Sequence, residues 1–179
     1  MCGYFGSRTF YFSKGVIGLK ILALWGNGSK GKTTTLNLLT KLLSNNLTQI
    51  NDQKNPINNR TKDNCYVVMY KEKRIGVTTR GDTKEVLEED FKWLKSRFNG
   101  TGCDLYVCAS RSKGSSAFFI KNQVGDEDIF WVSKITISQE KKSGYVTPFF
   151  IENQQKKVNE KQAESLVGFI DEMIQNNII

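Results

Sequence analysis

The chain has no histidine, only four cysteines and two prolines, and not one carboxylate in its first fifty residues. Each shortage removes a class of chemistry. Without histidine there is no imidazole to act as general base or to complete a Cys/His zinc site, and Ser/His/Asp and Cys/His nucleophile systems are excluded. Cys2, Cys65, Cys103 and Cys108 form no CxxC pair, so they read as small buried hydrophobes in a reducing compartment. No apolar run approaches the roughly 18 residues of a membrane span, and the N-terminus lacks the charged, apolar, then cleavable order of a secretory signal. These absences lead to the expectation of a cytoplasmic protein with no membrane partner.

The 179 residues, 39% hydrophobic and 25% charged, fit one domain over 1–179. The net charge of +8 is unevenly placed: Arg8, Lys14, Lys20, Lys30, Lys32 and Lys41 supply +6 within residues 1–50, leaving +2 for the rest. A positive field concentrated there suits a polyphosphate or nucleic acid, and a merely solvated basic surface is the plainer alternative.

Hydrophobic patterning gives the order of elements. Residues 1–18, rich in glycine and aromatics, read as an irregular leader or an edge strand. Leu19 to Trp25 reads as a buried strand of the parallel kind. Thr33 to Leu43 reads as a helix whose Leu36, Leu38, Leu39, Leu42 and Leu43 spread around enough of its circumference to need packing on more than one side. Residues 44–63 are polar and asparagine-rich and read as a loop. CYVVMY and RIGVTT, separated by KEK, predict a hairpin. In RGDTKEVLEEDFKWLKSRF, Leu87, Phe91, Leu94 and Phe98 fall on one helical face. DLYVCA (104–109) and residues 129–137 read as strands, and YVTPFFI as a last short one. Ala163, Leu166, Val167, Ile170, Met173 and Ile174 mark a closing helix. Strands alternating with helices predict an α/β fold, a three-layer sandwich with a mostly parallel central sheet and an antiparallel hairpin strand.

Between the first strand and the first helix stands Gly26-Asn27-Gly28-Ser29-Lys30-Gly31-Lys32-Thr33. It matches G-x-x-x-x-G-K-[ST] in full, in the strand-to-helix context that the motif requires. Residues 19–45 thus resemble the Walker A region of the P-loop NTPase superfamily. Glycines let backbone N–H groups turn inward around a phosphate, and the positive end of the following helix adds favourable potential. The resemblance implies a nucleoside triphosphate and Mg2+ as ligands. Residues 26–34 would line the phosphates, with Lys32 reaching the outer ones, Lys30 a secondary contact and the Thr33 hydroxyl on the metal.

In an open parallel sheet the remaining chemistry gathers at the carboxyl ends of the strands. Two loops qualify, Thr78 to Thr83 and Ser110 to Ser116. Asp82 is the carboxylate best placed to share the metal with Thr33, although with Glu85 three positions on it also fits a helix capping box. Ser110 stands where a polar side chain senses the terminal phosphate, and Arg111 and Lys113 where a cation neutralises the transferred group; a solvated basic loop is the rival reading. Arg80 shares that ambiguity. Asp104 begins its strand and belongs to the opposite sheet edge.

Guanine-specific members of the superfamily carry N-K-x-D and D-x-x-G, and neither occurs here, so ATP is favoured over GTP. The leading expectation is a Mg2+-dependent ATPase or nucleotide-dependent switch that reports to a protein partner, with Lys32, Asp82 and Arg111 as catalytic residues. A small-molecule or nucleoside kinase is the alternative. A non-catalytic nucleotide- or nucleic-acid-binding module is the third, kept open by Tyr4, Phe5, Phe10, Tyr11 and Phe12 beside the basic residues.

Overall fold

Strand β1, Lys20–Trp25, is buried on both faces: Ile21 to Leu24 have no solvent exposure in the computed structural model, which describes residues 18–28, 31–44, 50–53, 63–98, 100–137 and 148–179. Leu22 and Leu24 pack with helices α1, Lys32–Leu43, and α4, Pro148–Gln175, on one side of the sheet. Ile21 and Ala23 point the other way, into a second core with Leu87 and Phe91 of α2, Lys84–Lys95, and Phe119 and Ile120 of α3, Ser115–Lys121. Helices on both faces are the reason the strand is continuously apolar and does not alternate.

The other strands are β2, Ile50–Gln53, β3, Cys65–Tyr70, β4, Lys73–Thr78, β5, Leu105–Ser110, and β6, Ile129–Ser133. They form one six-stranded sheet in the order β2-β3-β4-β5-β1-β6. Strands β4, β5, β1 and β6 run parallel, whereas β3 is antiparallel to both β2 and β4. The chain is therefore α/β with a mostly parallel sheet, and the expected hairpin is present. Its two-residue turn puts Lys71 at φ 47° and Glu72 at φ 66°, the left-handed pair of a primed hairpin turn. Lys71 Nζ meets Asp171 of α4 at 2.7 Å.

Several expectations change. Within 44–63 the structure has the edge strand β2, paired with β3 through Ile50↔Val68 and Gln53↔Tyr66. The sequence INDQ is a poor strand former, and what recruits it is the open backbone edge of β3. Of YVTPFFI, the part from Pro148 onward is helix and not strand. Proline lacks the N–H that a first turn leaves unpaired, and its fixed φ suits that position. Helix α3 grows out of a serine-rich run that carries no helical pattern until Phe118. Strand β6 stops at Ser133, short of 137. In α1, Leu36, Leu39 and Leu43 are buried while Leu42 is 44% exposed, so the helix is packed by the sheet and α4 but not all round. Phe98 lies past the end of α2 in left-handed backbone, φ 52°, and packs against the second core.

Phe91 anchors that second core, edge-on to Tyr106 at 4.9 Å and to Phe119 at 5.4 Å. Cys65, Cys103 and Cys108 are buried and form no disulfide among the described residues, and burial pushes the thiols of Cys103 and Cys108 up to about 12, in keeping with their reading as small hydrophobes. Asp104 pairs with Arg74 at 2.7 Å at the amino edge of the parallel strands, as expected. No helix among the described residues is long and apolar enough to cross a membrane. The leader, including Cys2, and its aromatics lie outside the described residues, apart from Gly18.

Candidate functional site

The exit of β1 is gripped from both sides. Gly26 N donates to Ser110 O at 3.2 Å on the β5 side, and Lys134 N donates to Trp25 O at 2.8 Å on the β6 side. The chain then turns into α1 through Gly31, whose φ of 78° is left-handed. A Cβ there would also stand 3.2 Å from the Asn159 carboxamide of α4. Among the described residues no side chain caps α1, which leaves its first amides open to another acceptor. Ser29 and Lys30 lie outside the described residues.

Lys32 folds back over this loop, its ammonium donating to Gly26 O at 3.0 Å and Asn27 O at 2.9 Å. It is 6% exposed and has no carboxylate in ion-pair contact among the described residues. Burial holds it below the usual lysine range; the field of Asp82 opposes this and that of Arg111 adds to it. Thr33 Oγ1 lies 2.9 Å from Asp63 Oδ1, its acceptor, and 3.3 Å from Thr79 O.

These groups border a cleft of about 490 Å³ lined by Gly31 to Thr34, Asp63, Thr79 to Asp82, Val86 and Ala109. Its far wall depends on Gly81. A Cβ at that position would come within 1.9 Å of Ala109 O, so only glycine lets the chain cross the end of β5 and bring Asp82 round. Arg80 is committed elsewhere: it pairs with Asp90, which is wholly buried and also accepts from Thr78 Oγ1. It anchors the loop.

Asp82 is exposed and meets Arg111 Nε at 3.2 Å. The capping reading does not hold, because α2 begins at Lys84 with Thr83 as its N-cap and without a side-chain cap bond. Ser110 is buried, donates to Arg111 O at 3.0 Å and lies 3.4 Å from Ser116 Oγ, so it ties the base of its loop together. Ser112 Oγ joins that loop to Asn27 Oδ1 at 3.1 Å.

The sequence-nominated Gly26, Asn27, Gly28, Gly31, Lys32, Thr33 and Thr34 thus form one strand-to-helix turn, with Asp82 and Arg111 beside it. Asp63 and Thr79 were not nominated as site residues. Asp63 escapes a search for loops after parallel strands because β3 is antiparallel, so its beginning stands at the carboxyl edge of β4, with Cys65 opposite Thr78. A hard cation fits the donors present, which are all oxygen: Thr33 Oγ1, the carboxylates of Asp63 and Asp82, and Thr79 O. Among the described residues no three His, Cys, Asp or Glu side chains gather around one point. An ion here would draw on oxygens beyond the side-chain carboxylates, as magnesium does when it shares phosphates and water. Comparison of the chain with protein-family models, curated proteins and solved structures finds no match.

Proposed function

We propose that the turn from Gly26 to Thr34 binds the triphosphate of ATP, and that the chain works as a magnesium-dependent ATPase or nucleotide-dependent switch of P-loop NTPase type. The observation that carries this reading is the setting of Lys32. A buried ammonium held, among the described residues, by two neutral carbonyls, at 3.0 and 2.9 Å, is poorly compensated. A phosphate oxygen supplies the missing charge, and the N-terminus of α1, which begins at Lys32 itself, adds amide donors favourable to an anion. Arg111, paired with Asp82 of the cleft wall at 3.2 Å, is the cation at hand for the charge that develops on a transferred phosphoryl group. Thr33 Oγ1 offers one oxygen to magnesium, and the carboxylates at hand are Asp82 and Asp63. Magnesium, when bound, neutralises charge shared between the outer phosphates. Adenine is favoured by the absence of both guanine motifs from the sequence.

Lys32→Ala tests the reading. Loss of the ammonium's charge-assisted contact with the phosphates is expected to weaken Mg·ATP binding on the order of 100-fold, read by calorimetric titration. The melting temperature should hold or rise, because the side chain serves the ligand and not the core. Unchanged ATP affinity in this variant would overturn the assignment. Product analysis with labelled ATP then separates free phosphate, as hydrolysis requires, from a phosphorylated acceptor, as a kinase would give.

A further inference from the structure

We infer that Asp63 is the carboxylate on the metal side of this cleft, an assignment that rests on the nucleotide reading above. It comes from a strand that the Walker-type pattern does not use. Asp63 Oδ1 accepts the Thr33 hydroxyl at 2.9 Å. A threonine that gives its proton to a carboxylate keeps its oxygen lone pairs for a cation, and the negative acceptor makes that oxygen a better ligand. Asp63 therefore orients Thr33 and presents its remaining oxygen to water around the ion, a shell that magnesium retains.

Its position is built and not incidental. The next residue, Asn64, is buried and clamped to Thr79 in both directions: Thr79 N donates to Asn64 O at 2.9 Å, and Asn64 N donates to Thr79 Oγ1 at 2.8 Å. Asn64 Oδ1 also accepts from Cys65 N at 2.8 Å. The start of β3 is thus fixed against the end of β4, and Asp63 is carried to the P-loop threonine by the register of the hairpin. The two cleft carboxylates are differently employed. Asp82 is engaged by Arg111 at 3.2 Å, whereas Asp63 has no cationic partner among the described residues. Its partner is the Thr33 hydroxyl, which also lies 3.3 Å from Thr79 O.

The test is the gain in ATP affinity on adding magnesium, measured by calorimetry in EDTA and at saturating Mg2+, with Mn2+ as a paramagnetic probe of the same site. For Asp63→Asn, binding in EDTA should persist while the magnesium-dependent gain falls at least about ten-fold, the usual size of a lost outer-sphere partner. The resonance of nucleotide-bound Mn2+ should change with it. Asp126→Asn removes the same charge from the opposite end of the sheet and should keep the wild-type gain. If Asp63→Asn keeps the full gain, or if Asp82→Asn alone abolishes it, the assignment to Asp63 is wrong while the nucleotide reading stands. If the wild-type chain binds no ATP with or without magnesium, both fall together.

Discussion

At the residue scale, Gly81 shows how a single position shapes the cleft, and Lys134 how one buried charge bears on stability. Gly81 lies against the backbone of β5, where a methyl group would meet Ala109 O at 1.9 Å. Backbone cannot swing aside as a side chain does. Gly81→Ala should therefore cost about 3 kcal/mol or more in urea unfolding, with the Asp82 side of the cleft displaced. Lys134, 6% exposed, donates to Ile135 O at 2.6 Å and Gln162 Oε1 at 2.9 Å, and burial lowers its pKa to about 8. The unfolded chain keeps this proton up to about 10.5. Below pH 8 both states are protonated and the full cost of burying the charge is present. Between 8 and 10.5 only the unfolded state holds the proton, so stability rises with pH. Lys134→Met should lack this rise. Urea titrations at pH 7.5 and 10 should show wild type gaining on the variant by an amount on the order of 1 kcal/mol.

At the element scale, the hairpin turn is the clearest strain. Lys71 and Glu72 both sit in left-handed backbone, at φ 47° and 66°, where a side chain costs about 1 kcal/mol. Lys71 is held there by Asp171. Glu72 makes no described ion pair, and Glu72→Gly should stabilise the fold by up to about 1 kcal/mol, less the backbone entropy that glycine adds to the unfolded chain. The change should appear as a raised unfolding midpoint.

The same scale explains what is legible in the sequence. The glycine-lysine turn is readable because strand, glycines, lysine and helix are adjacent in the chain and their chemistry is local. Strands β1, β3, β4 and β5 are readable because burial on one or both faces imposes an apolar pattern. Strand β2 is not, since INDQ is recruited by the edge of β3 and not by its own preferences. The start of α4 is misread because Pro148 follows aromatic and β-branched residues that resemble strand, although proline is welcome at a first helical turn. Asp63 is missed for a topological reason: whether the beginning or the end of a strand faces the site depends on its direction, and direction is a property of the pairing.

At the scale of the whole molecule, α4 ties the site to the rest. Its 28 residues span about 42 Å at 1.5 Å per residue. Asn159 abuts Gly31 of the glycine-lysine turn, Gln162 accepts from Lys134 Nζ and Ile135 N, and Asp171 holds the hairpin turn. Gln162 Nε2 also donates to Ser133 O at 2.7 Å. One helix therefore buttresses the glycine-lysine turn, the end of β6 and the far tip of the sheet.

The pairing of β1 has a consequence for the order of events during synthesis. Strand β1 finds both its neighbours late in synthesis, because it lies between β5 and β6, whose residues 105–110 and 129–133 follow more than eighty positions later. Closing so long a loop carries its entropy penalty before any contact repays it. A nascent chain halted at residue 100 would carry the whole glycine-lysine motif and yet lack the two strands that flank β1, so the turn proposed to hold an anion takes its shape only after both have been made.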